Sequence, residues 1–197
     1  MRAHLTLPLL AVVACQACQQ SNPYESKDSK DPKPKAGPPP KVVGVDPDKF
    51  SCTGFLPLAD VAAVAMGEVT WEMSPYTPPN GVPRSCNYTL KSDESKVWGV
   101  AFDCRDSAQG ETLKQIDGWL AKADVPPDGG VANHEVPGIG KRAVDHSRAQ
   151  LMFLDDDTPC AVAITGPDEI SRTALARAVA TRLVPENAPM TPRAVKR

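Results

Sequence analysis

The sequence is poor in aromatic residues and histidine, and neither sign of charge dominates it. Its 197 residues include three Trp, three Tyr, four Phe and three His, with a formal charge of −2 at pH 7. Residues 49–184 hold 13 basic and 18 acidic side chains. A mildly acidic segment offers no cluster of Lys and Arg to a phosphate backbone. We therefore expect no nucleic-acid partner.

Signatures of nucleophilic catalysis and of cofactor binding are missing as well. Residues 50–185 contain neither the G-x-S-x-G motif that presents a nucleophilic serine nor an S-x-x-K motif. Residues 138–143 match the G-x-G-x-x-A fingerprint of dinucleotide-binding proteins, but Pro137 precedes them and no helix pattern follows. The fingerprint binds pyrophosphate at the N-terminus of a helix that follows a strand. We expect a glycine-containing turn that enters a strand, no cofactor and no enzymatic activity.

The histidines do not form a recognisable metal motif. His134-Glu135 begins like a metalloprotease helix, but the second histidine is missing and Pro137 prevents the helix. His146 and the acidic run at residues 155–157 are the remaining candidate ligands. Calcium loops need oxygen ligands at alternate positions with a glycine, which this run lacks. A solvated turn is therefore favoured over a metal site.

The strongest signal that is present lies near the N-terminus, where residues 5–15 form an apolar run that ends in a cysteine. A run of about ten residues is too short to span a bilayer as a helix and suits the core of a secretory signal. The segment Val12-Val13-Ala14-Cys15 resembles the lipobox of bacterial lipoprotein signal peptides. The resemblance implies that residues 1–14 are a signal peptide and that Cys15 becomes a lipidated N-terminus.

Lipidation of this kind anchors a chain without a transmembrane helix. A diacylated and N-acylated cysteine carries three chains such as palmitate, and each buried methylene contributes about 0.8 kcal/mol. Cys18 is a poorer candidate because the residue three positions before it is Cys15 rather than an aliphatic one. The alternative is an ordinary cleaved signal with an incidental cysteine.

The residue after the lipid-bearing cysteine bears on localisation. In lipoproteins of enteric type, Asp at this position often signals retention in the inner membrane, and this chain has Gln16. We therefore expect export to the cell envelope, with the outer membrane favoured over the outer face of the inner membrane. The rest of the chain is then exposed to the periplasm or the cell surface.

Residues 15–49 are predicted to be a lipidated N-terminus followed by a disordered tether. Lys and Asp alternate with prolines, and the segment has too few apolar residues to offset the entropy of ordering. Its proline-rich part favours polyproline II at about 3.1 Å per residue, which makes a semi-rigid spacer. The alternative is binding to anionic lipid or an envelope polymer, which the interleaved acids oppose. The lysines concerned are Lys27, Lys30, Lys33, Lys35 and Lys41.

Residues 50–185 carry the periodicities of a single α+β domain. Apolar residues at helical spacing predict a helix from Leu58 to a Gly67 cap and two further helices, at 108–123 and 168–184. Apolar stretches predict strands at 69–73, 85–91, 97–104, 150–154 and 160–165, and a weaker one at 132–136 or 141–144. The order α-β-β-β-α-β-β-β-α predicts a mainly antiparallel sheet with helices packed on one face. Residues 186–197 are predicted to be a flexible tail.

The domain contains four cysteines, Cys52, Cys86, Cys104 and Cys160. Exported chains meet oxidising conditions, so an even number favours two disulfides, and no C-x-x-C pair in the domain supports a metal site. With Leu90 opposite Trp98 in the hairpin, Cys86 has an aromatic residue as its partner. A bond from Cys86 to Cys104 is then out of register. We therefore prefer 52–86 and 104–160, each contributing roughly 3–4 kcal/mol in the chain-entropy model.

The three tryptophans, Trp71, Trp98 and Trp119, lie in apolar patterns, so core packing is the first expectation for each of them. The alternative is that one of them lines a cleft with Tyr76 and the proline-rich loop at residues 75–83. A small ligand or a peptide could dock in such a cleft.

The order of features in the domain also points to envelope proteins. A cysteine lies before a short helix that ends in Gly, followed by a Cys-x-aromatic strand, a Gly-x-Gly turn and a late cysteine: Cys52, Gly67, Cys86, Tyr88, Gly138, Gly140 and Cys160. In this order, residues 50–184 resemble small disulfide-containing envelope lipoproteins and the extracellular sensor domains of actinobacterial kinases. The resemblance implies binding or sensing, names no ligand and carries over no catalytic residue.

The sequence therefore predicts a non-enzymatic cell-envelope lipoprotein, with a binding or sensing domain on a tether. Its partners are expected to be the membrane, through the lipid anchor, and a protein or small ligand. Two alternatives stay open. One is an exported hydrolase whose site is assembled from scattered residues, and the other is a metal-carrying module.

Overall fold

The structure, a computed structural model, describes residues 41–121, 132–146 and 150–195. The predictions for the signal peptide, for Cys15 and Cys18, and for the tether up to residue 40 lie outside the described residues. So do those for residues 122–123 of the second predicted helix and for residues 196–197.

The elements follow one another along the chain in an α+β order. They are β1 (Lys41–Val43), a 3-10 turn (Pro47–Lys49), α1 (Cys52–Phe55), α2 (Leu58–Ala65), β2 (Val69–Met73), β3 (Cys86–Leu90), β4 (Asp93–Asp103), α3 (Ala108–Leu120), β5 (His134–Glu135), β6 (Arg142–His146), β7 (Gln150–Leu154), β8 (Ala161–Thr165), α4 (Glu169–Arg182) and β9 (Arg193–Val195).

Seven of these strands form one antiparallel sheet in the order β2-β3-β4-β8-β7-β6-β5. The predicted α+β class and the mainly antiparallel sheet are confirmed. Both positions proposed for the weak strand are occupied, because residues 134–135 form β5 and residues 142–146 form β6. The second half of the domain therefore has one strand more than the predicted order.

Helix α2 ends one residue earlier than its glycine suggests. Met66 adopts the left-handed conformation at φ 53°, and its N–H bonds the carbonyl of Ala62. Gly67 is small for a different reason, since a Cβ there would lie 2.9 Å from the Leu90 side chain. The glycine is therefore needed for the close approach of α2 to the sheet, and the left-handed turn is formed by Met66.

One face of the sheet carries the larger part of the core. Alternate residues of the three central strands, β4, β8 and β7, point to this face, and α2 and α4 cover it. The strand residues are Val100, Phe102, Leu151, Phe153, Val162 and Ile164, and the helix residues are Val61, Ala65, Leu175, Ala176 and Val179.

Helix α3 lies on the opposite face, so the prediction that the helices pack on one face is corrected. Ile116 of α3 is fully buried and belongs to one cluster with Val144 and Leu154. The preceding strand residues, Ala143 and Phe153, point to the opposite face, which α4 covers. Strand β7 is therefore covered on both faces, and residues 151–154 are all buried. A continuous apolar run is typical of a strand buried on both sides.

The ordered domain extends beyond the predicted boundaries at residues 50 and 185. Strand β1 pairs antiparallel with β9, and Gly44 and Val45 donate backbone hydrogen bonds to the carbonyls of Pro185 and Ala188 at 2.7 and 2.8 Å. The predictions of a tether to residue 49 and a tail from residue 186 are therefore corrected for residues 41–49 and 186–195. Strands of three residues with partners at the other end of the chain leave no periodic signal.

The preferred disulfide pairing is confirmed. Cys52 bonds Cys86 and ties α1 to β3, while Cys104 bonds Cys160 and joins the end of β4 to the start of β8. The hairpin register differs from the expected one, because Trp98 faces Tyr88 rather than Leu90 and the pairing shifts next to Leu90. Among the described residues, no helix is long and apolar enough to cross a membrane.

Candidate ligand-binding cleft

A cleft of about 480 Å³ lies between the loop that follows β2 and the segment around the 3-10 turn. We call it the loop cleft. It is lined by Pro47, Asp48, Phe50, Met73, Thr77, Pro78, Pro79, Asn80, Gly81, Val82 and Arg84. Three other cavities in the described part of the chain have volumes of about 300–390 Å³.

One wall of the cleft is the proline-rich loop, whose conformation is fixed by backbone hydrogen bonds and a turn within the loop. Prolines cannot donate to a sheet, so β2 ends before the proline-rich stretch. The N–H of Ser74 bonds the carbonyl of Ser85 at 2.9 Å and closes the base of the loop. At the tip, Val82 N–H bonds Pro79 at 3.2 Å and Gly81 has φ 80°, as the third position of a type II turn requires.

The opposite wall rests on an aromatic cluster. Phe50 packs against Phe55 and Phe102 with ring centroids 5.6 and 5.2 Å apart, and the last two rings are 5.1 Å apart. Before Phe50, the carboxylate of Asp46 accepts a hydrogen bond from the N–H of Asp48 at 3.1 Å and starts the 3-10 turn. A cluster of rings, two pairs of which are edge-to-face, gives this wall a fixed position.

Two charged side chains of opposite sign stand at the cleft. Asp48 and Arg84 are both exposed, and neither forms an ion pair within the described ranges. Several other surface cations are paired, as Arg142 is with Asp117 and Glu135 at 2.6 and 3.0 Å. Unpaired charges beside an apolar floor of Phe50 can fix the orientation of a polar ligand.

The tryptophan and tyrosine side chains considered for such a cleft are not among its lining residues. Trp71 and Met73 are alternate residues of β2 and are 40% and 48% exposed, but only Met73 lines the cleft. Tyr76 is 74% exposed and also lies outside the lining. Core packing is confirmed for Trp98, which is 2% exposed, and is wrong for Trp71.

The residues considered as metal ligands are not brought together. His134 lies 3.2 Å from Glu169 across the start of α4, and the ring of His146 packs on Trp119 at a centroid distance of 4.5 Å. In the β6–β7 ladder, His146 lies opposite Gln150, whereas the acidic turn follows Leu154 at the other end of β7. No group of three candidate ligands is found in the described part of the chain.

The acidic turn after β7 has a structural explanation. The carboxylate of Asp155 accepts hydrogen bonds from the backbone N–H of Asp157 and Thr158 and from the Thr158 hydroxyl, at 2.8–3.2 Å. Gln109 of α3 donates to the carbonyls of Asp155 and Thr158 at 3.0 and 2.8 Å. These bonds tie the turn to α3.

The glycine turn at residues 138–143 also has a structural explanation. Gly138 and Gly140 have φ values of 75° and 53°, and β6 begins two residues later at Arg142. A Cβ on Gly140 would lie 2.1 Å from the carbonyl oxygen of Leu154. The turn enters a strand, as predicted, and its second glycine is required by backbone contact.

The sequence does not reveal a buried polar network that fastens α4 to the sheet. Arg172 donates to both carboxylate oxygens of Asp145 at 3.0 and 2.7 Å, and their side chains are 7% and 4% exposed. Trp98 donates to the hydroxyl of Ser171 at 3.0 Å. The backbone N–H of Ser171 lowers the pKa of Asp168, which caps the helix. This network braces the fold and does not open into the loop cleft.

Comparison with known proteins gives no relative for this chain. No protein-family model, no curated protein and no solved structure matches it. The function must therefore be argued from the residues and their geometry.

Proposed function

We propose that the protein is an exported lipoprotein, anchored to the cell envelope through Cys15, and that its domain is a non-enzymatic binding or sensing module. The observation that carries the proposal is the pairing of all four cysteines of the described domain in two disulfides. Each of these cysteines is at most 3% exposed. Buried disulfides of this kind persist in secreted and periplasmic proteins and are rare where thiols are kept reduced.

The lipid anchor at Cys15 supplies the attachment in this proposal, with the outer membrane as the favoured location. Residues 15–40 act as the spacer between the lipid and β1. The domain then presents its loop cleft to ligands in the periplasm or at the cell surface.

Binding at the loop cleft is supported by its composition. The cleft offers an aromatic and proline-rich wall, main-chain groups of a braced loop, and one unpaired charge of each sign at Asp48 and Arg84. Sites that bind small molecules combine an apolar surface with a few placed polar groups in this way. A small polar ligand or a short peptide fits this chemistry.

The anchor is tested by metabolic labelling with palmitate in a bacterial host. The wild-type chain is expected to incorporate label into the membrane fraction, and Cys15→Ala is expected to abolish incorporation and release the protein. Cys18→Ala is the matched control and should label as the wild type does. Undiminished labelling of Cys15→Ala would show that the proposed anchor is wrong.

The cleft is tested by screening a library of amino acids, dipeptides and small sugars for binding by NMR. Hits are expected to shift the amide signals of Asp48, Gly81 and Arg84. Arg84→Ala should weaken binding about tenfold, because a hydrogen bond to a charged group is worth about 1.5–3 kcal/mol. Arg177→Ala, which removes another exposed arginine without a described ion pair, should leave binding unchanged. Equal loss in both variants, or hits that shift other regions only, would contradict the assignment.

A further inference from the structure

The seven-stranded sheet has two edges that differ in protection. One edge is β5, which has only two residues. The other is β2, which has five residues, contains neither proline nor lysine, and has no partner strand on its outer side within the described ranges. Natural proteins usually protect such edges with short strands, proline or charge, since an open edge pairs readily with another strand.

The outward-facing backbone groups of β2 can be identified from its pairing with β3. Lys91 N–H bonds the Glu68 carbonyl and Ser74 N–H bonds the Ser85 carbonyl, both at 2.9 Å. In an antiparallel ladder, alternate residues face the same partner, so residues 68, 70, 72 and 74 face β3. The N–H and C=O groups of Val69, Trp71 and Met73 therefore point away from the sheet.

This set of groups is complementary to a second copy of itself. An antiparallel pair of β2 strands with its twofold axis at Trp71 places Trp71 opposite Trp71, and Val69 opposite Met73. All outward N–H and C=O groups of both copies are then paired, since hydrogen-bonded residues in an antiparallel ladder exchange both bonds. A twofold axis is also the commonest symmetry of protein dimers.

The side chains fit the same register. Trp71 and Met73 lie on the face that bears α2 and are 40% and 48% exposed, so pairing buries apolar surface that the single copy leaves in water. On the other face, Glu72 stands opposite Thr70 of the second copy, so no two like charges meet. An unrelated extended peptide could also pair with the outward N–H and C=O groups of β2. A second copy of the chain matches the side chains of the strand as well.

We propose that β2 is a homodimerisation edge, at which two copies of the chain join their sheets antiparallel about Trp71. The partner is a second copy, and the dimer carries two lipid-bearing N-termini. Met73 belongs both to this edge and to the loop cleft, so dimerisation covers one margin of each cleft.

Disulfide trapping tests this register directly in the full-length chain, with Cys18→Ala introduced to remove the one thiol that could cross-link elsewhere. Residues in a hydrogen-bonded antiparallel pair lie about 5.5 Å apart at Cα, which a disulfide can span. Trp71→Cys is expected to give a covalent dimer in isolated membranes under mild oxidation. Val97→Cys is the matched control, because Val97 is also 40% exposed but lies in β4, inside the sheet. Equal cross-linking of the two variants would overturn the proposal, as would attachment of Trp71→Cys to a different protein.

A second variant tests the dimer without a new thiol. Trp71→Lys places two ammonium groups opposite each other at the axis and is expected to weaken dimerisation at least tenfold in sedimentation equilibrium of the detergent-solubilised protein. Val97→Lys should retain the wild-type dissociation constant, and far-UV circular dichroism confirms folding of both. A wild-type chain that stays monomeric at about 100 μM, or a Trp71→Lys chain that dimerises like the wild type, would overturn the proposal.

Discussion

At the scale of single residues, Tyr88 stands out. Its side chain is completely buried in β3, and its hydroxyl is the only buried side-chain N or O atom among the described residues without a hydrogen-bond partner. Burial raises its pKa to about 12, because the surroundings disfavour the phenolate. A buried hydroxyl without a partner costs stability relative to a ring that lacks it.

We predict that Tyr88→Phe leaves stability at pH 8 unchanged or raises it by up to about 1 kcal/mol. The unfolded chain releases this proton near pH 10 and the folded chain near pH 12, so the unfolded state binds fewer protons in between. The wild type should therefore lose about 2–3 kcal/mol as pH rises from 10 to 12, and Tyr88→Phe should lack this loss. Urea unfolding at several pH values measures both effects.

The control for this prediction is Tyr76→Phe, whose ring is 74% exposed. It should follow the wild-type curve at every pH. If Tyr88→Phe lowers the free energy of unfolding at pH 8 by more than about 1 kcal/mol, the hydroxyl makes a favourable hydrogen bond in the folded state. That result would contradict the absence of a partner for this hydroxyl among the described residues.

At the scale of elements, the attachment of α4 to the sheet depends on a buried ion pair. Asp145 of β6 and Arg172 of α4 form a bidentate pair, and Arg172 also donates to the Gly166 carbonyl at 3.1 Å. Removing one member leaves the other charge buried and unpaired. Replacing both with apolar groups removes that penalty.

We predict that Arg172→Met and Asp145→Leu each destabilise the fold by about 3–5 kcal/mol. The double variant should lose less than either single one, which is the sign of strong coupling between contacting residues. Chemical denaturation of the four chains gives the coupling energy. Arg182→Met, which breaks the exposed pair with Asp60, is the control and should cost less than about 1 kcal/mol. Additive losses in the double variant would refute the coupling.

Whether an element could be predicted depended on its length and on whether local residues or distant partners determine its conformation. Helix α2, β2 and the proline-rich loop followed from local periodicity and from residues that cannot continue a strand. The short strands β1 and β9 did not, because three residues acquire a strand conformation only from distant partners, and β5 was indicated only as one of two positions for a weak strand. The side of the sheet that α3 covers was also missed, although the continuous apolar run of β7 indicated burial on both faces.

At the scale of the whole molecule, the two disulfides join segments that are distant in sequence. Cys52–Cys86 closes a separation of 34 residues and Cys104–Cys160 one of 56. Closing loops of this length restricts the unfolded chain by about 4 kcal/mol each in the chain-entropy model. Both bonds are buried in the same core.

We predict that reduction with dithiothreitol lowers the free energy of unfolding by several kcal/mol, since both constraints on the unfolded chain are lost. Cys52→Ala/Cys86→Ala and Cys104→Ala/Cys160→Ala should each show part of this loss. Guanidinium denaturation of oxidised, reduced and doubly substituted chains measures the contributions. A reduced chain with an unchanged midpoint would show that the bonds contribute nothing to stability.

The candidate site was predictable only in part. The proline-rich loop followed from composition, since prolines and Asn-Gly end a strand and form turns. A cleft beside it was only the alternative to core packing of the tryptophans. The lining did not follow, because Phe50 and Asp48 reach the loop from a segment about thirty residues away in sequence. The apolar neighbours of Trp71 predicted a core position, but its strand lies at the edge of the sheet and has no further partner strand among the described residues.

Local sequence patterns were sufficient for the α+β class and for the antiparallel pairing of neighbouring strands, because both depend on short-range periodicity. The even number of cysteines indicated two disulfides and left their pairing as a preference, which the structure confirms. Long-range packing, in contrast, selected which strand is left at the open edge, which face each helix covers and how the two ends of the domain pair. Those outcomes depend on contacts between segments far apart in the chain, where a local pattern is compatible with several neighbours and the packing of the whole core selects one of them.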